Sequence, residues 1–195
     1  MNEINRMKKL GILLFLVICF NSIVNAQTKT PMFRQYLTKV EKIKNLQLNL
    51  KSHQQAKMFH TKLREAAAEG VNFAGHYILA TWGCGTKCSQ SAIIDARSGT
   101  VFFPSELEGN SFGFCDLPID LEPLVYKANS RLLILNGSKG GDQDANGRSC
   151  GIYYLEWMGA RFKQIEFVEK ENVATWLNFP KIEKPTEDMN VGFSR

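Results

Sequence analysis

Three things are scarce in this sequence: net charge, close cysteine pairs and uninterrupted apolar length. Twenty-four Lys and Arg face 19 Asp and Glu in 195 residues, too small an excess to build the basic surface that nucleic acid requires. One pair of cysteines is close in sequence, Cys84 and Cys88, while Cys115 and Cys150 stand alone. Zinc sites draw four ligands from tight pairs, so a structural zinc is not expected. The apolar run GILLFLVICF stops at Asn21 and Ser22, short of the roughly 20 residues that cross a bilayer. Histidine is limited to three positions, no serine or cysteine sits in a nucleophile motif, and no exact internal repeat is present.

What is there begins with a leader. Arg6, Lys8 and Lys9 precede the apolar run, and Val24-Asn25-Ala26 offers small residues ahead of Gln27, the pattern of a secretory signal peptide over residues 1–26. Leu16-Val17-Ile18-Cys19 approaches a lipoprotein box, but bulky Ile18 stands where a small residue belongs. Cleavage after Ala26 removes 26 of the 195 residues and leaves 169, enough for one domain with a sizeable core. Three basic residues and one acidic residue leave with the leader, so 21 face 18 and the remaining net charge is +3. Cys19 leaves too. An even set of four cysteines remains, as expected where disulfides form.

Along the chain, residues 31–44 carry Phe33, Leu37, Val40 and Ile43 near helical spacing, which predicts a short helix. NLQLNL alternates strictly, with Leu46, Leu48 and Leu50 on one side, as a half-buried strand does. Ser52 with Gln55 three residues on suggests a capping box. Ala56, Phe59, Leu63, Ala66 and Ala67 then recur at helical spacing and Gly70 can close the turn, which predicts one firm helix over about 53–69. Asn72 is placed to satisfy loose backbone groups at the end of that helix. From Gly75 the pattern turns to β. Strands are expected at 76–81 and in RLLILNG, a continuous apolar run suited to a buried central position. Hairpins are expected around Gly99 and around Met158-Gly159-Ala160. Gly109, Gly113, Pro118 and Pro123 break both periodicities, so 106–124 should be an irregular excursion. The fold class is α+β: an antiparallel, meandering β-sheet with one firm helix packed on it. Residues 27–180 form a single domain, and 181–195 are expected to be a disordered tail.

NFAGHY, TWGCGTKC and AIIDARSGTV, with the preceding LREAAAEG, resemble a family of small secreted bacterial proteins of uncharacterised function. Its members run from a helix through N-F-A-G-H-Y and W-G-C-G-x-x-C to an I-x-D-A-x-x-G-x-V hairpin. The similarity covers roughly residues 46–103, with a weaker echo in SRLLIL and YYLEWMGARF. It implies no particular activity.

Three constellations can carry chemistry. WGCGTKC differs from a thioredoxin site, which has two residues between its cysteines and a helix whose N-terminus lowers the thiol pKa. Here three residues intervene, and the stretch after Cys88 reads as strand. A stapled turn fits better. The four cysteines allow three connectivities; the favoured one bridges Cys84 to Cys88, worth about 2 kcal/mol on the chain-entropy model, and Cys115 to Cys150, worth about 4 kcal/mol. GGDQDANG places Asp142, Asp144, Asn146 and Gly147 as in the first half of a calcium loop. Tyr153 then occupies the place of the bidentate carboxylate, so a polar hairpin loop is the preferred reading. His76 can be a general base oriented by Asp95, although a histidine satisfied within the fold is the plainer expectation. His53, Lys57, His60 and Arg64 form a basic stripe opposite the apolar face of the helix, expected to be solvated.

These residues point to an exported, periplasmic or extracellular protein. It is expected to be a monomer without cofactor or metal, binding an unidentified protein or envelope ligand and not nucleic acid. No catalytic residue is assigned. The alternative is a small periplasmic hydrolase or redox enzyme centred on His76, Asp95 and the WGCGTKC turn.

Overall fold

The structure, a computed structural model, describes residues 30–85, 88–109, 115, 117–118, 121–140, 150–177 and 190–191. The leader, the calcium-loop residues Asp142, Asp144 and Asn146, and all of the 181–195 tail but two residues lie outside them. The fold is α+β with antiparallel sheets. Period-2 apolar runs and glycine turns give the strands β1 (Tyr77–Gly85), β2 (Cys88–Asp95) and β3 (Val101–Phe102), which form one three-stranded sheet in that order. The strands β4 (Leu124–Tyr126), β5 (Leu132–Ser138), β6 (Cys150–Trp157), β7 (Phe162–Glu169) and β8 (Asn190–Val191) form a second sheet in the order β7-β6-β5-β4-β8. RLLILNG thus becomes an interior strand, as its unbroken apolar character requires. From the tail, Asn190 and Val191 pair with β4. The described part of 106–124 contains no strand before Leu124.

The principal core lies between the sheets. Leu79 and Ile93 of the first sheet join Leu133, Leu135, Tyr153, Leu155 and Trp157 of the second. A further cluster fills the other face of the first sheet, where Ile78, Ala80, Trp82, Ala92 and Ile94 meet Ala56 and Leu63.

The helix expected over 53–69 is two helices, α1 (Gln54–Met58) and α2 (His60–Glu69), broken at Phe59. Phe59 leaves helical geometry at φ −98°, ψ 21°. Its ring packs 4.9 Å from Trp82 and 6.1 Å from Phe103, long-range contacts that helical periodicity does not reveal. The cap differs as well. His53 Nδ1, and not Ser52, accepts from the Gln55 amide at 3.3 Å; Ser52 Oγ instead accepts from the Val101 amide at 2.9 Å. The His53 ring stacks on Phe103; His53, Lys57, His60 and Arg64 are all exposed, as a solvated stripe requires. A third helix, α3 (Lys170–Leu177), follows β7 directly; the sequence reading places no helix there, although Val173, Trp176 and Leu177 recur at helical spacing.

The helix expected within 31–44 shrinks to a 3-10 turn at Phe33–Gln35. The backbone beyond it pairs elsewhere: the Thr38 amide donates to the Asn129 carbonyl, the Glu41 amide to Gly75, and the Arg131 amide to Tyr36. Leu37 and Val40, apolar at helical spacing, remain exposed. Gly75 permits this crossing. At φ 86° its added Cβ would lie 2.7 Å from the Lys39 carbonyl oxygen and 2.9 Å from Thr38 Oγ1.

Candidate functional site

His76 and Asp95 meet at one end of the β1–β2 hairpin. Tyr77 is paired with Asp95 across the strands, which sets His76 beside the turn that leads from β2 to β3. His76 Nε2 lies 3.7 Å from Asp95 Oδ1, with side chains 17% and 20% exposed. That is ion-pair range, beyond a hydrogen bond. Asp95 is occupied by its own turn: Oδ1 accepts from the Arg97 amide at 2.9 Å and Oδ2 from Ser98 Oγ at 2.8 Å. Both are local side-chain bonds of the kind that hold turns. The Arg97 guanidinium is held by Glu41, with Nε 3.0 Å from Oε2 and a second contact through Nη2. The hydrogen bond from Arg97 lowers the Glu41 pKa.

Burial lowers the His76 pKa, the Arg97 charge adds to the effect, and Asp95 and Glu41 oppose it. The imidazole is therefore neutral at pH 7 and lies against the Tyr77 ring, centroids 4.2 Å apart. The folded state binds this proton less readily than the unfolded chain. The stability it supports is complete above the ordinary value of 6.5, and is lost as pH falls through the lower folded value. Thermal midpoints measured from about pH 7.5 to about pH 5 should fall more steeply for the native chain than for His76→Gln. Parallel slopes would show that His76 is not the group responsible.

The cysteine turn lies at the far end of the same hairpin. β1 and β2 pair continuously from Tyr77↔Asp95 to Gly85↔Cys88, with a register shift between Gly83 and Gly85. At about 3.3 Å per residue, the eight steps from His76 to Cys84 span roughly 25 Å. Cys84 bonds to Cys88 and Cys115 to Cys150, each with Cα atoms 5.3 Å apart. Cys88 opens a strand, so no helix N-terminus activates it. Hydrogen bonds link the segments on either side of this end. The Gly109 amide donates to Gln90 Oε1 at 3.3 Å and the Gly140 amide to the Glu106 carbonyl at 3.2 Å. These bonds join the start of β2 to the exit of β5.

Asn72 completes the NFAGHY turn in a way its sequence position does not suggest. Its Oδ1 accepts from the Leu79 amide at 2.7 Å and its Nδ2 donates to the Leu79 carbonyl at 3.1 Å, so the amide stands in for a strand neighbour of β1.

A third feature is a groove of ≈ 520 Å³ between α2 and residues 43–50, lined by Ile43, Leu46, Leu48, Leu50, Ala67 and Ala68, with Arg64 at its rim. The alternation of NLQLNL places these leucines on one side. They are half-buried and pack against the cluster on the outer face of the first sheet. Among the described residues no cluster of three or more His, Cys, Asp or Glu side chains could hold a metal. No family model, curated protein or solved structure matches the chain.

Proposed function

We propose that the chain is an exported, disulfide-stapled binding protein of the periplasm or cell exterior, monomeric and without catalytic activity. The observation that carries this reading is the state of Asp95. Its two oxygens are engaged by Arg97 and Ser98, and neither hydrogen-bonds His76, so the pair is not set up as an oriented base. Export is supported by the leader at 1–26 and by the two disulfides, which persist in oxidising compartments. Among the described residues no helix is long and apolar enough to cross a membrane. The NFAGHY, WGCGTKC and DARSGTV stretches support membership of the secreted family they resemble. The end of the β1–β2 hairpin that carries the Cys84–Cys88 bridge is the natural surface for an envelope partner, because a paired sheet positions it.

The runner-up reading is a small hydrolase or redox enzyme. A neutral, largely buried His76 within 3.7 Å of a carboxylate favours it; the separation of His76 from the cysteine turn means that the three groups cannot form one site. Capture of a partner from envelope extracts by the native disulfide-bonded protein, and loss of that capture on reduction, are the expected results. A His76→Ala protein with unchanged thermal midpoint that loses turnover of any substrate would establish the enzyme reading instead.

A further inference from the structure

We infer that the Cys84–Cys88 bridge is a thiol–disulfide exchange site whose substrate is a protein dithiol of the thioredoxin type. It occupies the hairpin end assigned above to partner binding, but it rests on the chemistry of the bridge and not on that reading. The two bridges differ in access. Cys115 and Cys150 are buried, at 1% and 8% exposure. Cys84 is exposed and Cys88 half-buried, at the tip of the β1–β2 hairpin. Gly83 and Gly85 flank Cys84, and a Cβ built on either would meet no atom within 4 Å. A thiolate therefore finds Cys84 accessible in the native fold, while the second bridge must first be uncovered by local opening.

The strand edge beside Cys84 is open as well. Leu79 turns its N–H and C=O away from β2, where the Asn72 side chain pairs with both. β1 and β2 keep an unbroken register from Tyr77 to Gly83, so Thr81 and Gly83, in phase with Leu79, turn theirs to the same outer edge. β1 is a terminal strand of its sheet. Among the described residues no backbone hydrogen bond reaches that edge at Thr81 or Gly83. An unpaired edge one residue before an exposed disulfide lets an extended segment of the dithiol protein align by main-chain bonds. Neither cysteine lies at a helix N-terminus, since Cys84 is within β1 and Cys88 opens β2; the attacking thiolate is the partner's. That thiolate attacks Cys84 Sγ, the bond to Cys88 breaks, and Cys88 leaves as a thiolate that takes up a proton. The partner's second thiol loses its proton and attacks the partner's sulfur in the mixed disulfide, and Cys84 leaves as a thiolate that is protonated in turn. The bridge gains two electrons and two protons, and the dithiol gives up the same and closes as a disulfide. The hairpin outlasts the exchange, because Trp82 packs against Phe59 and Gln90 Oε1 holds the Gly109 amide.

The test uses the native protein with both bridges closed. Brief exposure to dilute dithiothreitol, quenched with iodoacetamide and read by peptide mass spectrometry, should open Cys84–Cys88 at least about a hundredfold faster than Cys115–Cys150. A thioredoxin-type protein whose second cysteine is replaced by serine should be trapped as a mixed disulfide on Cys84. In the trapped complex, amide hydrogen exchange at Thr81 and Gly83 should slow at least about tenfold, and the amides of β5 and β6 should keep their protection. Equal opening rates, earlier opening of Cys115–Cys150, absence of a trapped species, trapping on Cys88, or unchanged exchange at Thr81 and Gly83 would each overturn the inference. Failure to capture an envelope partner strikes the binding reading and leaves these outcomes as they are; failure of the exchange leaves the binding reading standing.

Discussion

Replacing Phe73 by alanine should destabilise the fold by about 3–5 kcal/mol, the cost of truncating a large aromatic in a close-packed core. Phe73 is fully buried. Its backbone closes a tight turn: the Phe73 amide donates to the Tyr77 carbonyl at 3.0 Å and the Tyr77 amide to the Phe73 carbonyl at 2.9 Å. Ala74 at φ 45° and Gly75 at φ 86° complete the reversal. That geometry drives the ring out of the first sheet and into the second, edge-on to Tyr126 at 6.1 Å and tilted against Phe162 at 6.4 Å. One side chain thus bridges the two sheets, and its removal leaves a void that neither sheet can close alone. Against a total stability of roughly 5–15 kcal/mol, urea denaturation should register a large loss. A change below about 1 kcal/mol would mean that the sheets are held together elsewhere.

Removal of the Cys115–Cys150 bridge, as the double serine variant, should cost about 4 kcal/mol. The link spans 35 residues of sequence and both cysteines are buried, so it removes much of the freedom of the unfolded chain and anchors the irregular excursion to the start of β6. The loss should be unevenly distributed. Hydrogen exchange should accelerate most in the described part of 105–123, because that segment has few backbone bonds of its own. β5 is paired on both sides, with β4 and β6, and should keep its protection. Equal loss of protection along β5 would show that the bridge supports the sheet directly. The Cys84–Cys88 pair is separated by only four residues in sequence, and its removal should cost about half as much.

What the sequence could disclose was local. Glycines at 99 and 159, both at positive φ, lie between β-rich runs, and both hairpins form where those runs predict them. The unbroken apolar stretch of 132–135 becomes a doubly paired strand for the same reason: nothing in it tolerates solvent. The α+β class follows from these elements together. Long-range partners are invisible to periodicity, and each departure comes from one of them. Trp82 and Phe103 pack on Phe59 where the helix breaks, and Asn129 and Gly75 hold residues 38–41 extended despite their helical spacing. The sheet divides in two after β3, because β4 pairs with β5 and β8 and not with β3.

The candidate sites divide along the same line. Sequence alone brought forward His76, Asp95 and the cysteines, because their residue types and spacing are chemically distinctive, and it favoured the disulfide pairing that the structure contains. Only the tertiary structure decided that His76 and the cysteine turn occupy opposite ends of one hairpin, since strand length converts a short sequence interval into distance. It also decided that Asp95 serves its turn, and that Leu46, Leu48 and Leu50 line an open groove. Alternation fixes which side a residue faces; what stands opposite that side, and how far away, depends on α2, which packs there through its own leucine and alanines.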